Sequence, residues 1–199
     1  MSKKSTKLLD VIVIGAGASG MMAAITAARR GKSVAILERM NKPGKKILAT
    51  GNGKCNFTNN NMDTSRFHGN IQLIQSVLDR FSKEDTLSFF HEIGIWPKEK
   101  NGYYYPNSGQ AVSVVEAFNH ELNRLHVPVY LEQEVLDLFP DKYGFRIKTV
   151  QTSYTCRNVI VASGLLAASK LGSDGSMFSV IKELGHRFVP VLPALCGFY

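Results

Sequence analysis

Residues 9–20 read LDVIVIGAGASG, and the alanine-rich residues that follow end on Arg29, Arg30 and Gly31. The run 9–14 is apolar and rich in β-branched residues, as a parallel strand covered on both faces requires. The spacing predicts a helix over 17–30, closed by two cations and a glycine. SVAILE, residues 33–38, reads as a second strand. Together these form a βαβ unit, with a right-handed crossover expected. The uncharged run 11–28 is long enough to imitate a signal peptide or a membrane span. Asp10 before it, and Gly15, Gly17, Ser19 and Gly20 inside it, argue for a strand turning sharply into a helix.

That turn is Gly15-Ala16-Gly17-Ala18-Ser19-Gly20, a G-x-G-x-x-G pattern, and Glu38 follows Gly20 by 18 residues at the end of the second strand. Strand, glycine turn, helix and distal acid are the dinucleotide-binding arrangement. Gly15 permits the tight turn, Gly17 lets the backbone approach a pyrophosphate, and Gly20 lets the helix pack on the strand. The helix N-terminus offers free N–H groups and partial positive charge to that pyrophosphate. All six residues of the turn are candidate cofactor contacts. Glu38 is placed to accept both hydroxyls of an adenosine ribose and to repel a 2′-phosphate, which disfavours NADP here. A glycine turn that serves packing alone is the alternative.

Composition sets the frame. The chain has 199 residues, 44% hydrophobic and 20% charged, which describes an ordinary globular protein large enough for a real core. Its net charge of +8 comes partly from a basic tail over residues 1–8 and partly from Lys42, Lys45, Lys46 and Lys54. A solvated basic surface and a site for a polyanion or a phosphate-bearing cofactor both account for it. Three cysteines, Cys55, Cys156 and Cys196, are far apart and match no ligand spacing. A structural zinc site, any other metal site and a disulfide framework are therefore not expected, and a reducing cytoplasm fits best.

Beyond the βαβ unit, residues 40–70 turn to Asn, Gly, Lys and Thr with little periodicity, a length of loop that is usually functional or disordered. Helices are predicted near 71–81 and 84–93, the second opened by a Ser82/Asp85 capping box. NGYYYPNSGQA reads as a turn-rich loop, 111–125 as a helix and VPVYL, 127–131, as a third strand. Three runs, 133–139, 143–150 and 152–156, suggest an antiparallel meander. NVIVAS, 158–163, reads as a further central strand ending at Gly164, and a last helix over about 174–184 stops at Gly185. The chain ends on an apolar, aromatic run with nothing after it to cover it. Either a partner covers that run or the chain is a piece of something longer.

LATGNGKCNFTN, residues 48–59, is open to several readings: redox thiol, half a metal site, phosphate cradle or polar loop. No second cysteine lies nearby for dithiol chemistry and no partner ligands for a metal. The histidines, His68, His91, His120, His126 and His186, are scattered, and no catalytic residue is assigned. Tyr103, Tyr104 and Tyr105 read as a partly buried loop anchor or a platform for a ring.

The layout after the βαβ unit, a long polar loop, a helical excursion and a meander before the next central strand, resembles the glutathione-reductase-like FAD domain. VIVASG then occupies the place of that superfamily's strand ending in Ala-Thr-Gly, with Ser163 for Thr and Gly164 closing it. The segments DVIVIGAGASGMMAAI, NKPGKKILATGNGKCNFTN, YYYPNSGQA, LGSDGS and LGHRFVPVLPAL resemble, in order, a bacterial family of NAD(P)/FAD-dependent oxidoreductases with aminoacetone-oxidase-like and bile-acid-reductase-like members. The resemblance implies an α/β, Rossmann-like FAD-binding domain with a central parallel sheet. It implies two-electron flavin chemistry on a small organic substrate, with NAD(P)H as a candidate electron donor. Arg39, Lys45, Lys46, Thr50, Gly51, Asn52, Gly53, Cys55 and Asn56 become candidate FAD contacts, and by superfamily analogy the backbone at Val135 meets the adenine edge.

Two departures stand out. Leu165 and Leu166 follow Gly164 where the family shows a second glycine, and family members are about twice as long. The expectation is an incomplete FAD-binding domain over 9–190, with 191–199 starting a missing substrate domain and the last central strand absent. Two other readings remain: a defective nucleotide-binding fragment, and a flavoprotein acting on RNA, for which no aromatic-basic RNA-binding module is visible. No membrane partner is expected, and the apolar end makes self-association a candidate.

Overall fold

Four parallel strands form the centre of the larger of two compact units, and their order follows from the βαβ unit. The computed structural model describes residues 8–192; the basic tail through Lys7, Cys196 and the apolar end from Pro193 lie outside them. The strands are β1 (Leu9–Ile14), β2 (Val34–Leu37), β3 (Thr58–Asn59), β4 (Pro97–Lys100), β5 (Tyr103–Pro106), β6 (Val129–Tyr130), β7 (Val135–Asp141), β8 (Gly144–Thr149) and β9 (Ser153–Val161). The helices are α1 (Ala18–Arg29), α2 (Lys45–Ala49), α3 (Ile71–Leu78), α4 (Lys83–Glu92), α5 (Ala111–Arg124) and α6 (Met177–Glu183). The chain divides into two compact units, one built from residues up to 46 and from 122 onward, the other from 47–121.

The first unit is a six-stranded sheet in the order β6-β2-β1-β9-β8-β7. β1 pairs in parallel with β2 and with β9, and β2 with β6. Ile12, Val13, Ala35 and Ile36 are completely buried, which is why these strands are uniformly apolar. The isoleucine and valine side chains among them contribute roughly 1.5–3 kcal/mol each on removal from water. Asp10, the polar residue of β1, accepts from the Ser33 N–H at 2.9 Å and its hydroxyl at 2.7 Å, fastening the start of β1 to the start of β2. Those bonds hold its carboxyl below the usual range. The run that imitates a membrane span is therefore a strand, a glycine turn and a 12-residue helix. Among the described residues no helix is long and apolar enough to cross a membrane.

β7, β8 and β9 form the expected antiparallel meander. The sequence reading separates 152–156 from 158–163, and the structure corrects it: both runs belong to β9. Its first half pairs with β8 and its second with β1, over Val11↔Asn158 to Ile14↔Val161. Arg157 and Asn158 interrupt the apolar pattern without breaking the backbone, because neither is Gly or Pro. Asn158 donates to the Asp10 carbonyl at 3.1 Å, and Arg157 lies 3.6 Å from the Asp10 carboxylate. Ile12, Ile14 and Leu37 share one core cluster with Leu138, Ile147 and Cys156, and with Met177 and Val180 of α6. The meander is thus folded onto one face of the parallel strands. Tyr130 of β6 meets Tyr154 of β9 at 5.4 Å between ring centroids for the same reason.

The last helix starts later than expected, at Met177, because Gly172 and Gly175 carry φ of 97° and 76° and keep the preceding turn out of helical geometry. It closes at Leu184 with Gly185 left-handed at φ 90°, as the stop signal requires.

The second unit centres on aromatic side chains. Phe57 meets Phe90 at 4.3 Å, and Phe89 and Phe90 both pack against Phe118 of α5. α4 opens with the full capping box between Ser82 and Asp85, and Asn70 caps α3 by accepting from the Leu73 N–H. Here a second reading is corrected. Tyr103–Pro106 are strand, not loop: β4 and β5 form a hairpin across the turn Asn101-Gly102, both left-handed at φ 54° and 84°, and β3 pairs with β5. Asn-Gly is the strongest short hairpin signal, but the flanking Lys98, Glu99 and Lys100 lack the apolar alternation that marks a strand. The 40–70 segment likewise holds α2, β3 and two 3₁₀ turns rather than one continuous loop.

Candidate functional site

The carboxyl ends of β1, β2, β6 and β9 lie along one edge of the sheet, where ligands bind in open α/β folds. At that edge the three glycines of the turn do different physical work. Gly15 has φ 102°, and a Cβ there would stand 2.6 Å from the Ala162 carbonyl oxygen. A Cβ on Gly20 would stand 1.9 Å from the Gly15 carbonyl oxygen. Both positions are closed by the protein itself, the first against the end of β9 and the second within the turn. Gly17 is different: among the described residues, its own chain neighbours aside, nothing lies within 4 Å of where its Cβ would be, so this stretch of backbone is open on its outer side.

α1 begins at that open backbone. Gly17 is its N-cap, no side chain caps the helix, and no acid lies in its first turn. Ala18 and Ser19 are exposed. An uncapped helix start next to an open glycine fits a pyrophosphate, which supplies both the charge and the acceptors that the helix end lacks. Ala16 is buried, and its N–H donates to Glu38 Oε2 at 2.6 Å. Glu38 Oε1 accepts from the Met40 N–H at 2.8 Å. The acid at the end of β2 is thus fixed in orientation against the glycine turn, each oxygen keeping a further lone pair for a hydroxyl donor. The turn is braced by Gly15 N–H to Leu37 O and by Gly44 N–H to Ala16 O, both at 2.8 Å.

Arg39 and Lys46 reach the loop between β9 and α6. Arg39 lies 2.7 Å from Asp174, and Lys46 donates to the Ser173 hydroxyl at 2.9 Å. Asp174 is held down to about 2, first by the Arg39 hydrogen bond and then by the Ser176 N–H. Ser163 follows β9, and Gly164, at φ 81°, backs onto Ser173, whose hydroxyl a Cβ there would approach to 2.4 Å. Leu165 and Leu166 are half-exposed and lie outside the core. Val135 opens β7 opposite Thr149, beside a register shift between Val135 and Asp137. Lys45 begins α2. The structure therefore brings the glycine turn, Glu38, Arg39, Lys46, Ser163 and Gly164 to one edge. LGSDGS stood out in the sequence as a motif, but no residue of it was assigned; the signal for Ser173 and Asp174 was a Ser-Asp pair between two glycines, a short polar turn.

Within the second unit the remaining candidates form a tight, unusual turn. Gly51, Asn52, Gly53 and Cys55 all have positive φ, at 56°, 53°, 80° and 58°. Thr50 donates to the Ile47 carbonyl at 2.6 Å, and the Cys55 N–H bonds the Thr50 carbonyl at 3.0 Å. Gly51 packs near Tyr105 and against the Asn56 N–H, 2.9 Å from where its Cβ would be. Tyr105 and Tyr104, whose hydroxyl donates to Asn60 at 3.0 Å, are anchors within this unit. Non-glycine residues held left-handed concentrate where a ligand must be met. Cys55 is buried, and burial pushes its thiol up. Cys156 is pushed up to about 11 for the same reason. Neither thiol is ionised at neutral pH, so neither is set up as a nucleophile. An open polar cleft of about 540 Å³, lined by Asn60, Asp63, Arg66 and Lys83 among others, also lies in this unit and contains none of the candidates.

Comparison with known proteins gives a consistent picture. The family model described as HI0933-like protein Rossmann domain matches residues 9–193. The chain is 44% identical to the 3-dehydro-bile acid delta(4,6)-reductase of Clostridium scindens, over 92% of this chain and 46% of that protein. It is 32% identical to the ribosomal RNA dihydrouridine synthase of Haemophilus influenzae, over 92% of this chain and 46% of that one. Among solved structures, THI4 of Thermovibrio ammonificans superposes with a TM-score of 0.61 at 20% identity, covering 92% of this chain and 66% of that one, which supports the fold. The chain spans about half the length of the curated relatives it matches.

Proposed function

We propose, from the premise that this chain belongs to the HI0933-like protein Rossmann domain family, that it is the FAD-binding part of an oxidoreductase. The observation that carries the reading is the glycine turn, closed at Gly15 and Gly20 and open only at Gly17, in front of an uncapped helix. Gly17, Ala18 and Ser19 would hold the pyrophosphate, and Glu38 the adenosine ribose. Lys46, which among the described residues meets a hydroxyl and no carboxylate, would add electrostatic attraction. The Gly51–Asn56 turn and the backbone at Val135 are further candidate contacts. Bound FAD would supply two-electron transfer to and from an organic substrate. The chain's own residues bind and orient, and flavin chemistry depends on orientation more than on a protein acid or base.

The name of the Clostridium scindens relative describes the reduction of a bile acid, which supports a reductase acting on a small molecule, and NAD(P)H is the donor proposed for it. The experiment is purification of the chain: yellow protein carrying stoichiometric FAD that NADH or NADPH bleaches supports the reading. Colourless protein that takes up no added FAD sinks it, and leaves a nucleotide-binding remnant without catalysis.

A second reading has one specific support. The relative named ribosomal RNA dihydrouridine synthase, together with a net charge of +8, favours a flavoprotein acting on RNA. Retention on RNA that falls steeply with salt and survives removal of residues 1–7 is the result this reading requires.

A further inference from the structure

Arg39 and Lys46 meet unlike partners on the same loop. Arg39 Nη1 lies 2.7 Å from Asp174 and 3.9 Å from Glu134, so two carboxylates face it. Lys46 donates to a neutral hydroxyl, and among the described residues no carboxylate lies within ion-pair distance of it. One cation at the site edge is neutralised and the other keeps its charge. The loop carrying Asp174 is itself well placed: Ser173 is buried, Gly164 backs onto it, Ala168 bridges to it, and Gly172 faces Met40. Asp174 is therefore presented to Arg39 by a built loop, not by a free side chain finding a surface partner.

The position of Arg39 gives that pairing a meaning. It directly follows Glu38, whose carboxylate is fixed against the glycine turn. An arginine near the ribose-binding acid is what accommodates a 2′-phosphate in NADP sites. FAD and NADPH share an adenosine diphosphate moiety and differ at that 2′ position. A flavin site in a protein fed by a nicotinamide donor has reason to refuse the phosphorylated form.

We propose that Asp174 is a specificity-determining residue of the nucleotide site. By pairing with Arg39 it withholds the guanidinium beside Glu38 from a 2′-phosphate, and it adds its own negative charge against one. Glu134 acts in the same sense from farther away, while Lys46 remains available to the pyrophosphate common to both ligands. This rests on the dinucleotide reading of the site given above.

The test is calorimetric titration of the flavin-free full chain with ADP-ribose and with 2′-phospho-ADP-ribose. The expected wild-type preference is for ADP-ribose. Asp174→Asn combined with Glu134→Gln should erase about tenfold of it, chiefly by tightening the 2′-phospho ligand, since the pyrophosphate charge is common to both ligands and only the 2′-phosphate adds charge beside Arg39. Adding Arg39→Ala should cancel the gain, and Asp174→Glu should keep the wild-type ratio. A merely structural Asp174 would weaken both ligands together and leave the ratio unchanged, which overturns this proposal alone. Failure of the wild type to bind either ADP-ribose or FAD overturns the dinucleotide reading and this proposal with it.

Discussion

Two glycine-rich turns in this chain reach unusual backbone geometry by opposite routes. Gly15 and Gly20 are glycines because neighbouring backbone occupies the space of a Cβ, at 2.6 and 1.9 Å. In the Gly51–Asn56 turn the constraint lies mainly in the chain itself: four residues take positive φ, and two of them, Asn52 and Cys55, are not glycine. The first turn is imposed by a strand and a helix meeting tightly. The second is held by its own hydrogen bonds, Thr50 to Ile47 and Cys55 to Thr50. Substitution in the first should therefore damage the fold, and in the second should damage local geometry.

The largest effect is expected at Gly20→Ala and Gly15→Ala. Overpacking costs about 1–3 kcal/mol, and at Gly15 the left-handed φ of 102° adds about 1–3 kcal/mol. Urea denaturation should show both losses; unchanged midpoints would mean the turn is looser than described.

Gly17→Ala separates binding from folding. Its φ of −79° suits any residue and no atom lies near the added Cβ, so the midpoint should move by less than about 0.5 kcal/mol. FAD affinity, followed by flavin fluorescence quenching, should fall about tenfold or more because the methyl group fills the approach to the backbone. Equal losses of stability and affinity would erase the distinction between the closed glycines and the open one.

Next come Gly51 and Gly53. Gly51→Val adds a contact of 2.9 Å to the Asn56 N–H on top of a φ of 56°, whereas Gly53, at φ 80°, has no atom nearer than 4.0 Å. Both should lose roughly 1–2 kcal/mol from the left-handed backbone, with Gly51 the worse. Both variants should lose flavin, while Cys55→Ser should largely keep it. If the serine variant lost flavin and the valine variants kept it, the turn would owe its role to the thiol.

The smallest effect is at Asp174. Its folded value of about 2 lies below the ordinary 3.8, so the carboxylate stabilises the fold above about 3.8, and that contribution disappears as pH falls through about 2. The side chain is 34% exposed, so solvent screening keeps the contribution under about 1 kcal/mol. Asp174→Asn should lower the thermal midpoint slightly at pH 7, and the two proteins should converge near pH 2. A difference that persists there would assign Asp174 a role other than its charge.

Residues 9–38 were legible because each signal there is local: uniform apolarity over LDVIVI, glycines at fixed spacing, an acid at the end of the next strand. The capping box of α4 and the left-handed stop at Gly185 were legible for the same reason. The β4–β5 hairpin was missed because its one strong signal, Asn101-Gly102, follows the charged run Lys98-Glu99-Lys100, which carries no strand period. The unity of β9 was missed because Arg157-Asn158 looks like a break, and the partner that explains it, Asp10, is 147 and 148 residues away. Among site residues, Glu38 and the glycines could be named from spacing. Asp174 and Ser173 could not, since their importance comes only from what they touch.

The sequence by itself determined that this chain builds a dinucleotide-binding βαβ unit followed by a meander, because periodicity and glycine spacing act over a few residues and survive without tertiary context. Only the tertiary structure decided which glycine is open to a ligand, where β9 runs unbroken, and which of two adjacent cations is neutralised. Those properties depend on distances between residues far apart in the chain, between Ala162 and Gly15, Asp10 and Asn158, Arg39 and Asp174, and no local pattern encodes a distance that folding alone creates.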